Sequence, residues 1–113
     1  MANNKLYKGS LSTIILKLLE ENGKMYGYEI TQKVKELTAG ELVITEGALY
    51  PALHKLEGDG FLTVEYALVN NRQRKYYTLT SAGKEEKAAK MDELRQFVEQ
   101  MQFLLNPKST FNG

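Results

Sequence analysis

Apolar residues Leu11, Ile14, Ile15, Leu18 and Leu19 recur at intervals of three and four, which lays one wide stripe along a helix. Ser10 precedes the stripe as a candidate N-cap and Asn22-Gly23 follows it as a stop. A second helix is predicted over 26–38: Tyr26, Ile30, Val34 and Leu37 share a face, Glu29, Gln32, Lys33 and Glu36 point outward, and Gly40 ends it. Glu41-Leu42-Val43-Ile44 reads as a brief strand. Thr45 then caps a third helix that buries Leu49, Leu53 and Leu56. Pro51 falls inside that helix, where it deletes a donor and crowds the carbonyl of Gly47, so an irregular first turn or a kink is expected.

After Gly58-Asp59-Gly60 the period changes to two. Leu62, Val64, Tyr66 and Leu68 alternate with Thr63, Glu65 and Ala67, the signature of a half-buried strand. Asn70-Asn71-Arg72-Gln73 supplies a turn, and 74–79 returns as the paired strand, with Tyr77 and Leu79 on one face and Tyr76 and Thr78 on the other. Thr80 or Ser81 caps a last, long helix in which Met91, Leu94, Val98, Met101 and Leu105 repeat at three and four, widened by Phe97 and Leu104. That is more apolar surface than a solvated helix tolerates. It either folds back on its own domain or pairs with a second copy; pairing is favoured because the other helices already have faces committed to a core.

A short amphipathic helix, a glycine stop and two strands joined by a basic turn describe a winged helix-turn-helix. The fold class is mainly α with a small antiparallel β-hairpin: a winged helix-turn-helix DNA-binding domain over 1–80, a C-terminal dimerisation helix over 81–106 and a flexible tail over 107–113.

Composition narrows the chemistry. With 113 residues the chain fits one small core. It has no cysteine and a single histidine, His54, so disulfides, thiol nucleophiles and a metal set are not expected, nor any cofactor. No nucleophile and base can be paired into a catalytic site. Nothing resembles a signal core or a membrane span, so a soluble, cytoplasmic protein is expected. The net charge of +1 is small for a nucleic-acid binder. The acids concentrate in 41–60, where Glu41, Glu46, Glu57 and Asp59 face one lysine, whereas 61–80 carries Arg72, Arg74 and Lys75 against Glu65 alone. Few phosphates are then neutralised per subunit, and a dimer is needed to double the count. The same charge leaves open a winged helix used for protein contacts without specific DNA binding.

Outside the Leu49-Leu53-Leu56 stripe, the third helix offers Thr45, Glu46, Ala48, Tyr50, Pro51, His54 and Lys55 to DNA. Tyr50 either packs on the tyrosines of the second helix or gives its hydroxyl to phosphate. Tyr28 is a candidate phosphate contact, while Tyr26 is assigned to packing. Arg72, Arg74 and Lys75 at the wing are either solvated or contact phosphate or the minor groove. Glu57 reads as the partner of a basic residue. The candidate dimer interface is Met91, Leu94, Phe97, Val98, Met101, Leu104 and Leu105. Met91, Phe97, Met101 and Phe103 could also line a cavity between subunits for a small apolar or aromatic effector.

Four segments in order carry a family resemblance: Gly9-Ser10-Leu11; Tyr26-Gly27-Tyr28-Glu29-Ile30; 47–57 with Gly60-Phe61-Leu62; and Arg74-Lys75-Tyr76-Tyr77-Thr78-Leu79-Thr80 with Gly83. The sequence resembles the PadR family of bacterial transcriptional regulators, in its compact branch with one C-terminal helix. Ala48 stands where threonine is frequent, Lys55 where arginine is common and Phe61 where a smaller aliphatic residue is usual; lysine lacks the planar fork of arginine. The resemblance implies a homodimeric, ligand-responsive repressor. Two-fold symmetry then implies a pseudo-palindromic double-stranded operator.

Overall fold

The computed structural model describes residues 7–106. The predicted 107–113 tail lies outside them. The elements are a 3-10 turn at Lys8–Ser10, α1 (Leu11–Asn22), β1 (Met25–Tyr26), α2 (Gly27–Leu37), α3 (Glu46–Gly58), β2 (Leu62–Val69), β3 (Arg72–Leu79) and α4 (Ser81–Leu105). The three strands form one antiparallel sheet in the order β1-β3-β2. Mainly α with a small sheet, a winged helix and a long last helix is the architecture the periodicities predicted.

The core contains most of the stripes read from the sequence, with Leu16, Met25 and Ile44 added and Ile14 only half-buried. Ile15, Leu16 and Leu19 from α1, Ile30 from α2, Leu49 and Leu53 from α3 and Tyr77 from β3 are almost wholly buried. Such burial is worth about 1.5–3 kcal/mol for each large aliphatic side chain. Thr45 caps α3, its Oγ1 accepting from the Ala48 amide at 3.3 Å, and Thr80 caps α4, its Oγ1 accepting from the Gly83 amide at 2.9 Å. Asn70 and Asn71 make the two-residue turn of the hairpin, with φ of 51° and 62°. Asparagine tolerates that left-handed region better than most residues. The turn is tighter than predicted, because Arg72 and Gln73 already pair with Val69 and Leu68.

Several local expectations are corrected. Ser10 makes no capping hydrogen bond, and α1 is entered through the 3-10 turn that Ser10 closes. Glu41 to Ile44 is not a strand. Ala39 and Gly40 both turn left-handed, and the backbone beyond them is satisfied without a ladder. The Glu41 amide donates to the Thr38 carbonyl at 3.0 Å, the Leu42 amide to Thr38 Oγ1 at 3.0 Å, and Tyr7 Oη to the Val43 carbonyl at 3.1 Å. Helix α3 runs unbroken through Pro51; both Pro51 and Gly47 are exposed, so the carbonyl that the proline leaves unpaired can be hydrated. Leu37 is exposed rather than part of the core. In β2 the alternation holds only at Leu62 and Val64, while Tyr66 and Leu68 are 61% and 74% exposed. The hairpin outruns the helical layer that would cover them.

Strand β1 was not legible. Two residues carry no period, yet Met25 pairs with Tyr77 and Tyr26 with Tyr76. This short strand ties the hairpin to the start of α2.

Helix α4 docks by its first turns. Lys87 Nζ meets Glu20 Oε1 of α1 at 2.6 Å, which holds the Glu20 carboxyl below its usual pKa, chiefly through that hydrogen bond. Gly83 lies so close to the Phe61 carbonyl that a Cβ there would overlap it. Beyond Met91 only Leu94 and Met101 are half-buried, and every other residue to Asn106 is exposed. The described residues accordingly extend 59 × 32 × 21 Å. Among them no helix is long and apolar enough to cross a membrane.

Candidate nucleic-acid interface

The outer side of α3 carries Glu46, Pro51, His54 and Lys55, all exposed, with Thr45 at its N-cap. Ala48 is half-buried against the core. Lys55 is engaged with Asp59 one turn later, at 3.2 Å in a solvated pair, of the kind worth little to stability.

Tyr50 leans away from this face toward α2. A Cβ built on Gly27 would overlap its hydroxyl and stand 2.8 Å from Cζ. Gly27 is therefore the residue that lets the Tyr50 ring lie across the start of α2, which explains a glycine at the first position of that helix. Tyr28, next in sequence, is exposed beside it. The Tyr26 amide donates to Glu29 Oε1 at 3.1 Å, an acidic side chain returning to the N-terminus of its own helix.

The three wing cations have different settings. Arg72 is exposed and has no ion-pair partner among the described residues. Arg74 lies over the Tyr26 ring, with Cζ 4.2 Å from its centroid. Tyr26 in turn meets Tyr76 edge to face at 5.4 Å, and Lys24 Nζ stands 5.4 Å from the Tyr76 centroid. This row, two rings with a cation at each end, joins the wing to β1. Lys75 is held by Glu57 at 3.7 Å, in the last turn of α3, so the expectation that Glu57 pairs with a base is met at this residue. Burial works to lower the Lys75 pKa, but its neighbours Tyr77 and Glu57 outweigh it and the net shift is upward.

These groups converge on an open cleft of about 360 Å³ lined by Tyr26, Gly27, Tyr28, Tyr50, residues 72–75 and Tyr77. Of the residues the sequence nominated for DNA, the structure brings Tyr28, Tyr50, Arg72, Arg74 and Lys75 to this cleft. Thr45, Glu46, Pro51, His54 and Lys55 stay on the neighbouring helix face. Tyr26, Gly27 and Tyr77 were missed as site residues, since their places depend on strand pairing distant in sequence. Tyr77 is 1% exposed; burial raises the pKa of its phenol, with the Lys75 charge opposing. Among the described residues no cluster of three or more His, Cys, Asp or Glu is placed to hold a metal ion.

Lys75 and Arg72 are thus expected to differ in DNA binding. Arg72→Ala should reduce the magnitude of the slope of log affinity against log salt by about 0.9 per subunit, one phosphate contact each. Lys75→Met should reduce it by less than half as much, because Glu57 already neutralises the ammonium. Equal changes for the two variants in a salt titration would show that the Glu57 pair opens on DNA.

Of the candidate dimer residues, Phe97, Val98, Leu104 and Leu105 are 47% to 85% exposed. Met91, Leu94 and Met101 are half-buried along the same helix, and Phe103 is exposed.

Residues 15–89 match the transcriptional regulator PadR-like family. The chain is 36% identical over 77 residues to the negative transcriptional regulator PadR of Bacillus subtilis, covering 67% of this chain and 42% of that protein. A transcriptional regulator from Clostridium thermocellum has a solved structure that matches with a TM-score of 0.81 at 31% identity, covering 90% of this chain and 96% of that one. The structure of Bacillus subtilis PadR in complex with operator DNA matches with a TM-score of 0.64 at 34% identity, over 71% of this chain and 44% of that one.

Proposed function

The chain belongs to the PadR-like family of transcriptional regulators, and from that premise we propose that it is a ligand-responsive repressor, acting as a homodimer on a pseudo-palindromic DNA operator. A member of this family is a regulator, not an enzyme. The observation that carries the reading is the shared cleft: Tyr50 of α3, the start of α2 and the wing arginines line one surface, and the exposed face of α3 lies beside it. That is the arrangement a winged helix needs to read base edges with one helix while strand and helix termini hold phosphate. The complex of Bacillus subtilis PadR with operator DNA supports DNA as the partner.

In this reading Tyr28, Tyr50, Arg72 and Arg74 hold the backbone. Thr45, Glu46, Ala48, Pro51, His54 and Lys55 face the groove, and Lys75 braces the wing against α3. The apolar side of α4, from Met91 to Leu105, pairs two subunits and sets the recognition helices about one DNA turn, roughly 34 Å, apart. An apolar or aromatic effector seated among Met91, Phe97, Met101 and Phe103 would release DNA by favouring a different arrangement of the two subunits.

A Tyr50→Ala/Arg74→Ala variant is expected to lose about 100-fold in operator affinity, as two contacts to charged phosphate are removed, while remaining folded by circular dichroism. Footprinting on the adjacent promoter locates the operator. Equal and weak affinity of the wild type for every duplex at physiological salt would refute specific repression. The net charge of +1 favours a second reading, a winged helix that binds protein; it predicts no salt-dependent DNA affinity and a heterologous partner in a pull-down.

A further inference from the structure

Two buried side-chain polar atoms among the described residues lack a hydrogen-bond partner, Arg74 Nε and Tyr77 Oη. Both residues line the cleft between the start of α2, α3 and the wing. Buried polar groups are paired in the great majority of native structures, and each exception calls for a physical reason. Both have a proton to give: an arginine Nε can only donate, and the Tyr77 phenol, whose oxygen has the Lys75 ammonium beside it as a donor, still needs an acceptor for its own hydrogen. The other lining groups have the same polarity. Arg72 has no ion-pair partner among the described residues, Tyr28 and Tyr50 bring hydroxyls, and Gly27 and Tyr28 open an eleven-residue helix whose N-terminal partial positive charge is offset in part by the Glu29 carboxylate on the Tyr26 amide. No Asp or Glu lines the cleft.

We infer that this cleft is a binding site for a tetrahedral oxyanion of the phosphate class, with Arg74 Nε and Tyr77 Oη as its inner donors, the Arg72 guanidinium as a further cation and the start of α2 as its wall. The source of the anion is either a phosphate of the DNA backbone or a free phosphate; with DNA as source, the inference rests on the proposed function. The Tyr50 side chain, 36% exposed, lines the same cleft with its hydroxyl end packed on Gly27. Tyr77 is 1% exposed, so the cleft must open at its hydroxyl when the anion enters. Arg74 is already oriented by its stack on Tyr26, so little rotamer freedom is lost on binding.

Tyr77→Phe tests this directly, because it removes one oxygen and keeps the buried ring. In the absence of ligand the variant should melt higher than the wild type, since an unpaired buried hydroxyl costs stability. Inorganic phosphate should raise the melting temperature of the wild type more than chloride at equal ionic strength, and Tyr77→Phe should abolish that difference. Affinity for duplex DNA should fall roughly tenfold with no change in salt slope, because a neutral donor displaces no counterion. Arg74→Lys keeps the charge and loses the Nε donor, and should reproduce both losses if Tyr77→Phe proves hard to fold. Loss of the phosphate response with DNA affinity intact assigns the site to a free anion. Loss of DNA affinity in a protein that ignores inorganic phosphate assigns it to the backbone. A wild type that binds no duplex would remove the proposed function and leave the phosphate arm to decide the site. The inference is overturned if Tyr77→Phe keeps both responses, or if it melts lower, which would show that the hydroxyl has an internal partner.

Discussion

Replacing Leu94 and Val98 together with aspartate is expected to turn the protein into monomers and to lower its affinity for a two-half-site operator by about 10²- to 10⁴-fold. The lower bound follows from effective concentration: once one half-site is held, the second subunit binds as an intramolecular event, and that advantage vanishes with the link. The two residues are chosen for where they stand. Val98 is 47% exposed and Leu94 half-buried, so carboxylates there are hydrated in a monomer but would be buried as like charges in a paired interface. The variant should therefore keep its helical circular dichroism and thermal transition while its sedimenting mass halves. An unchanged mass would show that α4 does not pair subunits through this face.

Gly83→Ala is expected to destabilise the fold by about 1–3 kcal/mol, the usual cost of forcing an extra methyl into a packed site. Alanine is the better helix former by up to about 1 kcal/mol, so the prediction opposes the intrinsic propensity and is informative for that reason. The added Cβ would overlap the backbone carbonyl of Phe61 and come within 3.3 Å of Leu79 Cδ2. A side chain could rotate away, but a carbonyl cannot, particularly one that already accepts the Thr80 amide at 3.1 Å. For a domain of this size the loss should lower the melting temperature by about 4–8 °C per kcal/mol. Gly27→Ala makes the useful control. Its Cβ meets the free end of the Tyr50 side chain, which can move, so stability should change little while DNA binding weakens. A Gly83→Ala protein that melts with the wild type would mean that α4 docks more loosely on the wing than its contacts indicate.

What could be read from the sequence was whatever repeats or caps locally. The Leu11-Ile15-Leu18-Leu19 stripe, the two threonine caps and the asparagine turn are each fixed by neighbours within a few residues, and each stands where the periodicity placed it. Errors arose where one strand or helix must be covered by another. Tyr66 and Leu68 have the alternation of a buried face, but whether anything lies over them depends on how far the hairpin projects past α3. Glu41 to Ile44 has the composition of a strand but pairs with none, and part of its backbone is bonded instead to Thr38 and Tyr7. The candidate site divides the same way. Arg72, Arg74 and Tyr50 could be nominated from a turn and a helix face. The Tyr77 hydroxyl and the Gly27 seat for Tyr50 depend on packing between segments distant in sequence, which no local pattern encodes; for Glu57 a basic partner could be expected, but not that it would be Lys75, 18 residues on.

The junction at Thr80 has a mechanical meaning. Its hydroxyl donates to the Gly60 carbonyl at 2.7 Å while accepting the Gly83 amide, and its own amide meets Phe61. The end of α3, the base of the wing and the root of the long helix are thus clamped at one residue, with Lys87 and Glu20 as a second fastening. In a dimer built on α4 there is no flexible joint between the grip of one subunit on the other and its grip on DNA. The distance between half-sites then becomes a property of the crossing angle of two rods. Such a dimer should reject operators whose spacer is one base pair too long or too short, and an effector would act on it by turning the rods, not by bending them.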